Sequence, residues 1–245
     1  MTDYGLIVKN NSNEIQIDSI YRNLSVSQSG SSETISNPFA YPGNVTYYTT
    51  ISLTSSPLCP LILLRPNTDN FVTVMGYNQS GSNYIGANIV TEYDNGTTLI
   101  DWKCYRQNIS GSGNDYGMLV YNNDGDLCFD SGLNYFKVYS THSISLDVPP
   151  DQPYVTPQYG DYQDVTHSGI SNPYYILSNR GQWFNAISNE IIGTVEGMWT
   201  VGVKKLSSTS VRVGWILYTW AHHYDYLRDV NAGFNQTMTL IVCDA

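Results

Sequence analysis

Apolar and polar residues alternate in short runs along most of the chain. Leu6 and Val8 fall on one face of a period-two strand, and Ile15 and Ile17 on one face of the next. The linker Asn10-Asn-Ser-Asn13 has turn composition, and Asn13 tolerates the left-handed backbone better than most residues. The pattern returns 112 positions later without a gap, as Tyr116–Tyr139 laid on Tyr4–Ser27. Tyr4/Tyr116, Gly5/Gly117, Val8/Val120, Asn10/Asn122, Asn11/Asn123, Asp18/Asp130, Ser19/Ser131 and Val26/Val138 coincide. Met118, Val120, Leu127 and Phe129 repeat the apolar faces, and Asp124-Gly125 supplies a favoured tight turn. Two copies of one β-hairpin are therefore predicted, over 4–27 and 116–139.

Between the copies, Pro60–Leu64 and Phe71–Met75 are apolar runs separated by a turn. Ile89–Tyr93 and Thr98–Tyr105 flank Asp94-Asn95-Gly96, which predicts another hairpin. Residues 28–50, with two prolines and two glycines, read as a connector of little regular structure. After the second copy, Pro149, Pro150, Pro153 and Pro157 oppose both helix and sheet, so 147–168 reads as a long Pro/Tyr-rich loop. Ile170-Ser-Asn-Pro-Tyr174 then echoes Ile35-Ser-Asn-Pro-Phe39, with the offset grown to 135. In the last part Trp199–Leu206 and Val211–Tyr218 form a hairpin pattern, and Thr237–Cys243 a closing strand. Phe184, Ile187 and Ile191 share a helical face, so 182–192 is expected to be a short helix.

The fold class expected from this is all-β: tandem β-sandwich-like units built from hairpins, with little helix. The N-terminal unit is 1–112, with hairpin module 4–27 and β region 51–106. The C-terminal unit is 113–245, with hairpin module 116–139, loop 147–168 and distal β region 170–245.

Composition narrows the function classes. Charged residues are only 13% of the 245, about half the usual ~25%. The polar surface must come from Asn, Ser, Thr, Gln and the 21 tyrosines. Net charge is −10, and Lys204-Lys205 is the sole basic pair, which disfavours binding to nucleic acid or to an anionic membrane surface. No secretory leader pattern opens the chain, and no apolar run reaches the ~18 residues of a membrane helix. Cys59, Cys104, Cys128 and Cys243 lack metal-site spacing and read as free thiols.

Catalytic motifs are absent. There is no nucleophile elbow, zincin motif or P-loop, and Gly111, Gly113 and Gly117 miss the dinucleotide spacing. The run Asn122–Asp126 is better read as a hairpin turn than as a calcium loop, because no glutamate closes it. Glu190, Glu196 and Asp225 are carboxylates available to a glycosidase, but no spacing singles out a pair. The densest polar–aromatic cluster is Trp220, His222, His223, Asp225, Tyr226 and Arg228. Rings that stack on pyranose faces, beside groups that bond hydroxyls, suit sugar recognition. A solvated loop around a core tryptophan is the plainer alternative. Adjacent histidines point to opposite faces of a strand, so both could serve one metal only in a turn. Tyr154, Tyr159 and Tyr162 of the Pro/Tyr-rich loop are further receptor-binding candidates. No catalytic residue, metal ligand or cofactor is assigned.

At the repeated hairpin, YGLIVKNNSNEIQIDSIYRN and YGMLVYNNDGDLCFDS, the sequence resembles tail-fibre and tail-tip proteins of tailed bacteriophages. Their module has the form Y-G-L-x-V-x-N-x-x-G-x-x-x-F-D-S. The first copy departs at Asn13 and Ile17, the second at Gly132-Leu-Asn-Tyr. The resemblance implies a non-enzymatic virion component of the tail, made in the host cytoplasm. Its implied partners are its own copies in an intertwined or side-by-side homotrimer, other phage tail proteins, and a host surface polysaccharide or outer-membrane receptor, with no nucleic acid and no membrane insertion. A tail-tip or baseplate connector and a polysaccharide-degrading tail enzyme are the alternatives.

Overall fold

The structure is a computed structural model that describes residues 7–9, 15–18, 23–36, 47–91, 97–107, 110–114, 116–147, 162–178, 182–189, 193–223, 230–233 and 237–244. The strands of the first half are β1 (Ile7–Lys9), β2 (Ile15–Asp18), β3 (Leu24–Glu33), β4 (Ile35–Ser36), β5 (Tyr47–Ser56), β6 (Leu61–Pro66), β7 (Val72–Ser80), β8 (Asn83–Thr91) and β9 (Leu99–Gln107). Those of the second are β10 (Leu119–Tyr121), β11 (Leu127–Asp130), β12 (Lys137–Ser145), β13 (Tyr162–Thr166), β14 (Tyr174–Leu177), β15 (Gln182–Asn189), β16 (Gly193–Lys205), β17 (Ser210–His223), β18 (Val230–Gly233) and β19 (Thr237–Asp244). The protein is all-β, and no helix occurs among the described residues.

Two large antiparallel sheets carry the molecule. One has six strands in the order β12-β19-β14-β6-β9-β3. The other has nine, in the order β13-β17-β16-β7-β8-β5-β4, with β15 and β18 branching from β16. Each is joined at its middle by one residue pair, Leu64 with Tyr175 and Val72 with Val203. Outward from that seam the orders match: β6-β9-β3 against β14-β19-β12, and β7-β8-β5 against β16-β17-β13. Residues before and after 112 thus lie on opposite sides of the seam in both sheets. One apolar cluster spans the seam, with Ile62, Ile89, Ile100, Val213, Trp215 and Leu240 among its members. Each such side chain removed from water contributes ~1.5–3 kcal/mol, so this cluster dominates the stability of the fold.

Alternation explains the inward faces. On β16 and β17, Val201, Val203, Val211, Val213 and Trp215 are buried, as the period-two pattern required. The same rule governs β19, where Met238, Leu240 and Val242 face the core. A smaller cluster lies outside it, with Leu63, Tyr105, Tyr174 and Cys243 packed against Leu24, Val26 and Phe136. Burial there pushes the Tyr105 phenol and the Cys243 thiol each up to about 12. All four cysteines are free, and only Cys59 is exposed.

Several expectations are corrected. Residues 182–189 are strand β15 rather than a helix, because backbone pairing with β16 along its full length outweighs an ambiguous apolar period. Within the expected connector 28–50, residues 28–33, 35–36 and 47–50 are strand, and 37–46 lie outside the described residues. The Ser/Gln-rich β3 runs from Leu24 to Glu33, held by pairing with β9, and β5 begins at Tyr47. The runs around Asp94–Gly96 are no hairpin, since β8 and β9 belong to different sheets. The loop 147–168 contains strand β13 at Tyr162–Thr166, and 148–161 lies outside the described residues.

The repeated module folds as two isolated two-stranded sheets, β1–β2 and β10–β11. Their registers are identical under the 112-residue shift: Ile7 with Asp18 and Leu119 with Asp130, then a bulge after Val8 and after Val120. The bulge alters the facing expected for the second copy. Val120 and Cys128 are buried, whereas Met118, Leu119 and Tyr121 are exposed. The turn is also wider than a tight Asp-Gly pair. The Asn122 side-chain oxygen accepts from the Asp124 and Asp126 amides, and Gly125 takes φ 81°, which suits a residue without Cβ.

Candidate functional site

Tyr162 opens β13, the edge strand of the nine-stranded sheet. Its cross-strand partner on β17 is Gly214, and that of Asp164 is Arg212. Tyr162 and Asp164 share a strand face by alternation, so Arg212 reaches both. Its Nε and Nη2 donate to the two Asp164 carboxylate oxygens at 2.7 and 2.9 Å. Its guanidinium carbon stands 3.7 Å from the Tyr162 ring centroid. The forked pair fixes the guanidinium plane against the ring. Hydrogen bonds from Arg212 hold the Asp164 carboxyl below its ordinary range. Tyr162 remains 49% exposed. Lys204, across from Arg212 on β16, puts its ammonium 5.6 Å from the Phe71 ring centroid. Arg212 and Lys204 thus stand side by side on the sheet, with the half-exposed Tyr162 ring against Arg212 and the buried Phe71 ring near Lys204.

The same chemistry occurs on the six-stranded sheet in a closed form. Arg65 donates from Nε and Nη2 to Asp101 at 3.2 and 2.6 Å and lies 4.6 Å from the Tyr174 ring centroid. Lys103 approaches the same ring at 5.0 Å. Burial would raise the Asp101 carboxyl, but hydrogen bonds from Ser31, Asn67 and Arg65 together lower it. Tyr174 is 6% exposed, so this ring is a packing element with no face to offer.

The other candidates are described by backbone alone or not at all. Trp220, His222 and His223 lie in β17, paired with Gly197, Val195 and Thr194. Gly214, opposite Tyr162, is six residues back along that strand, about 20 Å at the rise of extended chain. The backbone at both histidines is strand rather than turn. Tyr154, Tyr159, Asp225, Tyr226 and Arg228 lie outside the described residues. Among the described residues, no group of three or more His, Cys, Asp or Glu is arranged to hold a metal ion. Of the nine candidates, Tyr162 is the one with a described side chain in a built setting. Its partners Arg212 and Asp164 went unnoticed in the sequence. Arg212 could be read as outward-facing between Val211 and Val213, but no local signal joins positions 164 and 212.

Compared with family models, curated proteins and solved structures, the chain has no match.

Proposed function

We propose that this chain is a structural protein of a bacteriophage tail that binds a host surface polysaccharide during adsorption, working as a homotrimer. The observation that carries the binding reading is the half-exposed Tyr162 ring, fixed by the Arg212–Asp164 pair on an edge strand. A ring held in one orientation loses little freedom when a pyranose stacks on it. Arg212 and Lys204 supply donors beside it for hydroxyl or carboxylate groups of a glycan. The tail assignment is supported by the duplicated Y-G-x-x-V-x-N-N hairpin in the sequence.

Purified protein is expected to bind capsular or lipopolysaccharide glycans of the host and to compete with adsorption. Tyr162→Ala should weaken glycan binding by about tenfold, the loss of one stacked ring, with the melting temperature unchanged. Equal loss from Tyr174→Phe, or no competition at saturating protein, would sink the reading. Release of oligosaccharides during the same incubation would instead establish a polysaccharide-degrading enzyme. The connector reading gains from the exposed apolar surface of the second hairpin. Antibody labelling of tails in negative stain, marking a distal tip or a junction, separates the two.

A further inference from the structure

The second hairpin carries a depression that shares no residue with the Tyr162 site. The segment 110–114 is tied to β11 through Asp130, whose carboxylate, 3% exposed, accepts from the Ser112 and Gly132 amides at 2.6 and 2.8 Å. This segment, the strands β10 and β11 and the turn between them line a depression of about 410 Å³ that is more polar than apolar. The volume falls in the ~300–1,000 Å³ range of ligand sites. Tyr121 lines it with its side chain 52% exposed, and the exposed Asn114 and Asp126 line it too. Gly113 and Gly125 add bare backbone, with open space where a Cβ would stand at either one.

We propose that this depression binds one sugar unit of an uncharged glycan, with the ring stacked on Tyr121 and its hydroxyls bonded by Asp126 and Asn114. The lining disfavours the other ligand classes. An apolar ligand would cover the Asp126 carboxylate and the Asn114 amide without replacing their water, which is costly. An anion would meet Asp126, the exposed Asp124 of the adjoining turn and a net charge of −10. A metal ion needs several oxygen ligands, and the Asp130 carboxylate is already taken up by two amides. A neutral polyhydroxy ligand meets every group. The Asp126 carboxylate accepts a 3.3 Å contact from the Asn122 amide nitrogen, and a carboxylate has lone pairs for hydroxyl donors besides. The Asn114 amide both donates and accepts, so it can bond a hydroxyl in either sense. The Tyr121 ring offers a flat apolar face to the C–H side of a pyranose. The inference rests on the polysaccharide reading for its ligand class alone and adds a second site of opposite charge preference. Arg212 and Lys204 favour an acidic sugar beside Tyr162, and Asp126 favours an uncharged one beside Tyr121.

Methyl NMR of the full chain tests it, with methyl glucoside, methyl galactoside, N-acetylglucosamine and glucuronate each titrated to about 50 mM. At least one of the three neutral sugars should shift the methyl signals of Leu119 and Leu127, which line the depression, and glucuronate should not. Tyr121→Ala should weaken that binding about tenfold, and Asp126→Asn should weaken it too, both with an unchanged melting temperature. Tyr162→Ala should leave it as it is. No shift with any neutral sugar, an equal shift with glucuronate, or binding that Tyr121→Ala leaves intact would overturn this site. If host polysaccharide fails to bind while a neutral sugar still shifts Leu119, the adsorption reading falls and this site stands. If the polysaccharide binds through Tyr162 and no sugar shifts Leu119, this site alone falls.

Discussion

The inter-sheet core and the second hairpin are built from the same alternating pattern, yet they end in opposite states. In β17, Val211, Val213 and Trp215 alternate with polar or small residues, and each is fully buried. In β10, Val120 is buried while its neighbours Leu119 and Tyr121 stay about half exposed. The difference lies in layers rather than in letters. The inward residues of β17 meet residues of the other large sheet in one shared apolar cluster. The hairpin packs one face on the body of the chain and leaves the other open. An exposed apolar face of this kind marks an interaction surface more often than an accident.

The largest effect is expected in the core. Trp215 is 0% exposed, and its indole N–H donates to the Asp147 carbonyl at 2.6 Å. Trp215→Ala should cost about 3–5 kcal/mol, read from the midpoint of urea unfolding. Leu119→Ser, in the hairpin, should change that midpoint by no more than about 0.5 kcal/mol. A comparable loss at both sites would erase the distinction between them.

Glycines sharpen the contrast at intermediate magnitude. A Cβ at Gly86 of β8 would stand 2.7 Å from the Ile51 carbonyl oxygen, a backbone atom that can yield only if β5 and β8 part. Gly86→Ala should cost about 1–3 kcal/mol by overpacking. At Gly125 the space is open, and the penalty is conformational, since φ is 81°. Gly125→Ala should cost about 1 kcal/mol, again read from urea midpoints. Here sterics limit the core and backbone dihedral limits the hairpin.

The smallest effect is a pH dependence that arises in the buried interior. His167 is 2% exposed, with Nε2 2.8 Å from the Tyr175 hydroxyl. Burial, with a smaller push from His142, holds its imidazole below the ordinary value despite opposing hydrogen bonds. The unfolded chain takes up this proton near pH ~6.5 and the folded chain only at lower pH. Below that value the unfolded state binds more protons, so stability is full above it and declines as pH falls. Melting temperature should drop between about pH 7.5 and about pH 5.5, and His167→Gln should flatten the profile. An unchanged slope in the variant would exclude His167 as the source.

Much of the fold was legible because strand, turn and facing are local properties. The period-two runs at 199–206 and 211–218 became β16 and β17, and the repeated hairpin kept one register in both copies. Misreadings arose where local signals were weak or shared. The Ser/Gln-rich β3 has no apolar alternation to announce it and owes its extended form to β9. The segment 182–189 fits a helical period on paper and becomes a strand because β16 and β18 offer it partners on both edges. The candidate site was legible only as a tyrosine in an acidic stretch.

By itself, then, the sequence determined an all-β chain, a hairpin repeated at a 112-residue interval, free cysteines and the inward residues of its strongest strands. Tertiary structure decided which strands meet. Backbone hydrogen bonds carry no residue identity, so an isolated strand can pair with any other, and only packing of the whole core selects the partner. That selection separates β8 from β9, divides each sheet at one seam, and brings Asp164 opposite Arg212. It also leaves Tyr162 open to solvent while Tyr174, with similar charged neighbours, is enclosed. Exposure depends on what the other layers cover, and no run of residues specifies that alone.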